Sequence, residues 1–215
     1  MQIYLEVGKR WVFAGALDWP GWCRRGRDEA EALAALLAYR TRYRTALGRR
    51  ARGLPDPRGV RALKVAERLP GDPTTDFGVP GKAPAFDARP LQAAELRRLT
   101  GLLEACWAAF DATAEAARGT TLRVGPRGGG RDVRKIVAHV LEADEAYLKA
   151  LGGRARAREM RPAFVDALGA RARGELPDRG PRGGARWTAR YAIRRSAWHA
   201  LDHAWEIQDR ADGVI

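Results

Sequence analysis

Pro70-Gly-Asp-Pro-Thr-Thr-Asp-Phe-Gly-Val-Pro-Gly81 is where the hydrophobic rhythm of the chain changes. Before it, apolar residues alternate in short runs. After it, they recur with the roughly 3.6-residue period of helices. This change predicts an α+β protein: a small α+β unit over residues 1–69, then a four-helix bundle over residues 91–213. Residues 70–90 serve either as a linker or as a functional loop, since a connection of this length is uncommon without a role. Phe77 inside it is able to dock on either side.

On the N-terminal side, Val60 to Leu69 alternates weakly and predicts a fourth strand with Leu63 and Val65 inward. Ile3 to Val7 and Arg10 to Ala16 are rich in β-branched and aromatic residues. Gly8-Lys9 between them fits a two-residue type II′ hairpin. Leu17 to Arg25 reads as a turn and a short third strand. Asp28 then caps a helix, with Glu31 completing an aspartate form of the capping box. Leu33, Leu36, Leu37 and Tyr43 give that helix its apolar stripe, and Gly and Pro within Arg49–Gly59 end it.

On the C-terminal side, four segments carry helical stripes: Leu91–Ala117, Asp132–Leu151, Glu159–Arg173 and Trp187–Arg210. Glycine-rich breaks at 119–130, 152–156 and 174–185 separate them. Pro162 is tolerated because it falls in a first turn. Four helices with one apolar stripe each are most economically buried as a bundle.

Composition narrows the function. The 215 residues carry 46% hydrophobic side chains, enough for a packed core, but no apolar run has the length of a membrane span. Met1 to Val7 lacks the regions of a signal peptide. Cys23 and Cys106 form no paired-thiol motif and read as reduced thiols, so a cytoplasmic location is expected. The net charge of +13 admits a nucleic-acid partner. Its best candidate is the basic stretch around Arg40, Arg42 and Arg44, interleaved with Tyr39 and Tyr43. The ordinary alternative is a solvated helix end in an arginine-rich chain. No glycine-rich phosphate loop stands in the right context, since Gly125–Gly130 follows no clear strand.

The chain has three histidines. His199 and His203 are four apart and share one helical face. His139 lies in the middle of another helical segment. Together they suggest a three-imidazole site for a divalent metal, with an open position. Glu142 and Glu206 each follow a histidine by three residues and are candidates for orienting a ligand or moving a proton. Arg195, one turn before His199, is a candidate for meeting an anionic substrate. Each has an ordinary alternative as a surface charge. Trp198 and Trp205 flank the pair and read as core. Cys106 reads as a small buried hydrophobe, with a fourth-ligand role as the lesser alternative.

The segment from residue 89 to 212 resembles the DinB-like family of four-helix metalloproteins. The resemblance rests on His139 with its trailing Leu-Glu-Ala-Asp-Glu-Ala-Tyr147, and on Arg194-Arg-Ser-Ala-Trp-His-Ala-Leu-Asp-His-Ala-Trp-Glu-Ile-Gln-Asp-Arg210. It implies that His139, His199 and His203 bind a divalent ion, zinc or nickel. It also implies an activity like that of the family's thiol S-transferases or its mycothiol-dependent isomerase, with a low-molecular-weight thiol and a small-molecule substrate. A metal-dependent hydrolase would use the same site. Residues 14–33, with Asp18-Trp-Pro-Gly21 before a short strand and an acidic helix cap, resemble a HicB-type small α+β domain. That implies a further alternative, a non-enzymatic regulator that binds protein or nucleic acid.

Overall fold

The computed structural model describes residues 1–125, 130–155 and 159–211. The protein is α+β, with a four-stranded mixed sheet and seven helices among the described residues. The strands are β1 (Gln2–Val7), β2 (Val12–Ala16), β3 (Cys23–Gly26) and β4 (Lys64–Pro70). The sheet order is β3-β2-β1-β4; β1 pairs antiparallel with β2 and parallel with β4. Helices α1 (Glu29–Ala38) and α2 (Arg40–Leu47) lie between β3 and β4 in the chain, and α3 (Pro73–Phe77) follows β4. The long helices are α4 (Ala93–Ala116), α5 (Val133–Leu151), α6 (Met160–Ala172) and α7 (Ala189–Ala211). Residues 126–129 and 156 of the glycine-rich breaks, and 212–213 at the end of the predicted bundle, lie outside the described residues.

The sheet is buried on both faces. Ile3, Leu5, Val12, Ala14 and Ala16 alternate onto one face, in the main core with Ala32 and Leu36 of α1. Tyr4, Glu6 and Phe13 alternate onto the other. There Phe13 meets Trp198 of α7 edge to face, with ring centroids 6.3 Å apart. Glu6 is fully buried, accepting bonds from Thr75 Oγ1 at 2.5 Å and from the backbone N–H groups of Gly81 and Lys82. One carboxylate thus fastens residues 75–82 across the central strand.

The main core is continuous, running from Ile3, Leu36 and Leu63 to Leu103, Ile136, Phe164 and Ile207. Trp22 is completely buried, stacks on Tyr43 at 5.5 Å and donates to the Leu36 carbonyl at 2.7 Å. Such an aromatic pair contributes about 0.5–1.5 kcal/mol beyond its buried area. Gly21 adopts a φ of +92°, and a Cβ there would press on Leu201 and Ala197 of α7 and on Cys106 of α4. The Pro20-Gly21 turn is therefore one of the points at which the sheet packs on the helices.

In the helical half, α4 packs on α7, α7 on α5, α5 on α6, and α6 on both α4 and α7. Asp132 caps α5 by accepting from the Lys135 N–H, and Gly152 in the left-handed conformation ends it. Its stripe of Ile136, Val140, Leu148 and Leu151 is buried, with Asp144 in the same row. Thr188 caps α7, its Oγ1 accepting from the Tyr191 N–H at 3.2 Å.

Four local expectations need correction. Gly8 has no positive φ, so it does not begin a type II′ turn; the chain bends at Lys9-Arg10. Gly8 is required by space, because a Cβ there would come within 2.4 Å of Asp76 Oδ1, whose carboxylate accepts from the Arg10 N–H. Asp28 does cap α1, but the Glu31 side chain accepts from the Arg27 N–H instead of closing the reciprocal bond on Asp28. The stripe from Leu33 to Tyr43 belongs to two helices that join at Tyr39. Trp187 lies outside α7 and packs against Tyr191 and Tyr147.

Candidate metal centre

α5 and α7 bring the three histidines together. Their ring centroids are 5.1 Å apart for His139–His199, 5.0 Å for His139–His203 and 4.7 Å for His199–His203. The two Nε2 atoms of His139 and His199 face each other at 3.3 Å. One potential ligand atom from each of the three rings lies within 4.8 Å of the others. At the usual zinc–nitrogen length of about 2.0–2.1 Å, two tetrahedral ligands stand about 3.3 Å apart. The His139–His199 separation matches that edge. His199 Nδ1 is buried and has no hydrogen-bond partner. That nitrogen points away from Nε2, so an ion shared with His139 would not satisfy it, and the fit to an ion rests on the three donors themselves.

The electrostatics favour the neutral form of two of the rings. Burial, reinforced by His203 and Arg195, pushes the His199 pKa down to about 2. Burial and His203 also lower His139. A neutral imidazole is the form that ligates a metal. His203 is oriented from outside: its Nδ1 meets Glu206 Oε2 at 2.7 Å, which leaves Nε2 for a ligand. Glu206 is held in turn by Arg210 Nη1 at 2.8 Å, and Arg210 also donates to the carbonyls of Arg123 and Arg131. Burial works to raise the Glu206 pKa, but His203 and Arg210 together hold it below the usual carboxylate range. The donor set and its support fit a divalent ion.

Of the other sequence candidates, Glu142 is exposed, and its charge only offsets part of the lowering at His139. Arg195 does sit at the site. Its guanidinium lies 4.7 Å from the Trp198 ring centroid and 5.4 Å from that of Tyr147, and both rings neighbour His199. Trp198 and Trp205 are buried, against Phe13 and Tyr39 respectively. Cys106 is buried under the Gly21 turn, where burial pushes its thiol pKa well up. Cys23 is also buried, its thiol raised to about 12 chiefly by burial.

Two arginines of the basic stretch make contacts within the molecule. Arg40 bonds the Pro55 carbonyl and Asp56, while Arg42 bonds Gln208 and Asp209 of α7. Of the three arginines only Arg44 is exposed.

Two supports of the site escaped the sequence reading. Arg210 is one turn after Glu206, an i,i+4 pair that the spacing does signal. Tyr147 lies two turns after His139 and enters the sequence pattern only as the end of the run that trails that histidine. No helix among the described residues is long and apolar enough to cross a membrane. No protein-family model matches the chain, and no curated protein or solved structure matches it either.

Proposed function

We propose that the chain is a metal-dependent enzyme of the DinB-like kind, an S-transferase or isomerase that uses a low-molecular-weight thiol. His139, His199 and His203 would hold the ion, zinc or nickel. The observation that carries the reading is the convergence of three imidazoles from two helices, with the His139 and His199 Nε2 atoms at a separation suited to one ion. Bound there, a divalent ion supplies Lewis-acid chemistry that lowers the pKa of a thiol or a water. The protein's own residues do the rest. Glu206 accepts a hydrogen bond from His203 Nδ1–H and fixes that ring, and Arg210 fixes Glu206. Tyr147 and Trp198 wall the His199 side and limit water there. His139 is only partly buried, so the triad is open toward α5. The HicB-like unit, on this reading, is a support whose Pro20-Gly21 turn steadies α7.

The test is elemental analysis of protein purified without a histidine tag, beside His199→Ala. Stoichiometric metal in the wild type and its loss in the variant are expected. Chelator-sensitive consumption of a thiol with a chlorinated aromatic electrophile should then disappear in His139→Ala. Sub-stoichiometric metal after reloading with zinc or nickel would overturn the metal centre. Metal retained without thiol consumption, but with chelator-sensitive ester hydrolysis, would replace the transferase by a hydrolase.

A further inference from the structure

Four arginines of α7 are withdrawn from solvent to a large degree, and three of them have carboxylate partners. Arg190 is forked onto Glu95, Arg194 onto Asp87, and Arg210 bonds Glu206. Arg195 is the exception. Among the described residues no carboxylate pairs with it, and its Nη1 is buried without a hydrogen-bond partner. The side chain as a whole is only partly buried, which keeps the guanidinium within reach of a ligand.

Its surroundings are those of a receptor. Trp198 and Tyr147 pack against the guanidinium, and their π-faces favour a cation. A guanidinium donates its hydrogen bonds in its own plane; the Tyr147 side chain is close enough to take one of them, and the unpartnered Nη1 is left for an anion. His199 lies one turn further along the same face, and its ring neighbours both Tyr147 and Trp198. The local field is positive: Arg195 and Arg131 both act on His199. Of the two acids that act on His139, Glu142 is exposed and Glu206 is already engaged by His203 and Arg210. A divalent ion on three neutral ligands would add to the excess.

We infer that Arg195 receives a carboxylate of the molecule on which the triad acts, an inference that rests on the proposed metal centre for the substrate role but not for the binding itself. The substrate class is therefore a small carboxylic acid. Its anionic end meets the Arg195 edge between Tyr147 and Trp198, and its reacting end lies toward the histidines. The planar carboxylate is the geometric match for the guanidinium fork.

Calorimetric titration of the full chain with benzoate and with its neutral analogue benzamide tests this, once after chelator treatment and once after loading with zinc. Benzoate should bind in both states and benzamide should not. Arg195→Gln should weaken benzoate about 10- to 100-fold, the usual worth of a charge-assisted contact. Arg195→Lys keeps the charge but loses the fork, and should give an intermediate, several-fold loss. It carries the comparison if the glutamine variant does not fold by circular dichroism. Equal affinity in wild type and variant, equal affinity for benzoate and benzamide, or no benzoate binding at millimolar concentration in either state overturns the assignment. Benzoate binding that appears only with zinc and survives Arg195→Gln would place the carboxylate on the metal and also overturn it. Arg195-dependent binding in a protein that fails to take up zinc or nickel would uphold the anion site while the metal reading falls.

Discussion

Around Arg194, at the junction of sheet and α7, each guanidinium nitrogen has an acceptor. Nε and Nη2 reach the two oxygens of Asp87 at 2.8 and 2.7 Å, and Nη1 and Nη2 reach the carbonyls of Ala16 and Leu17. Around Arg195 and His199, on the next faces of the same helix, a guanidinium nitrogen and an imidazole nitrogen are buried without partners. Both regions put polar groups into a low-dielectric interior, where a missing bond is costly. The first region is complete within the chain and holds the fold together. The second leaves two nitrogens without acceptors among the described residues. Unmatched polarity separates the proposed functional face of α7 from the structural one more sharply than burial does, because Arg194 and His199 are both buried.

The largest effect should come from unmatching the complete region. Arg194→Met strands the Asp87 carboxylate, which is only 1% exposed. Breaking a buried pair from one side costs about 3–5 kcal/mol. Urea unfolding should show that loss, and the double variant Arg194→Met with Asp87→Leu should recover most of it. A single-variant loss below about 1 kcal/mol would end the distinction between the two regions.

Asp144 tests the distinction inside the core. Its Oδ1 accepts from Ser196 Oγ at 2.6 Å, and Trp107 donates to that same hydroxyl, but Oδ2 has no partner. Burial raises its pKa from 3.8 to about 6, against the lowering effect of Ser196. Between those values the folded protein keeps a proton that the unfolded chain has released. The residue therefore lowers stability as pH rises from about 4 to about 6, by about 3 kcal/mol at full effect. Asp144→Asn removes the titration. The stability gap between wild type and variant, measured by urea unfolding, should shift by that amount in the variant's favour across the window. A gap constant with pH would mean that Asp144 is already ionised in the core at pH 4, or that it has a partner.

The contrast also explains what could be read from the sequence. The four long helices, the strands and the spacing of His199 and His203 are local patterns, and periodicity reports them directly. His139 could be placed only as the remaining histidine on another amphipathic segment. The Asp87–Arg194 pair joins the connection after β4 to α7, and nothing local to Asp87 distinguishes it from a solvated aspartate. The helix break at Tyr39 has the same origin. Tyr39 packs on Trp205 and under Arg24, so tertiary contacts accompany a change of direction that the apolar stripe does not signal. Gly8 is set by the close approach of Asp76 from α3, another long-range neighbour.

Glu206 lies between the two regions, since it is fully paired yet serves the triad. Glu206→Gln keeps the shape and removes the charge that orients His203. Loss of such a supporting carboxylate typically lowers metal affinity about 10- to 100-fold, or about 1.4–2.7 kcal/mol. Competition with a chromophoric zinc chelator would measure it. Unchanged affinity would mean that Glu206 belongs to the structural set, with Arg210 as its purpose.

The smallest effect should come from Arg195, the neighbour of the residue with the largest. Arg195→Gln removes no ion pair among the described residues and strands no carboxylate. It forfeits ring contacts worth about 0.5–1 kcal/mol at a partly exposed position. It also removes a like charge that opposes protonation of His199. The two changes act in opposite directions on the metal-free protein at acid pH and leave only the first at neutral pH, where His199 is uncharged. Thermal unfolding at neutral pH should therefore differ from wild type by about 1 kcal/mol or less. A loss as large as that of Arg194→Met would show that Arg195 is anchored within the chain, and the two regions of α7 would then be alike.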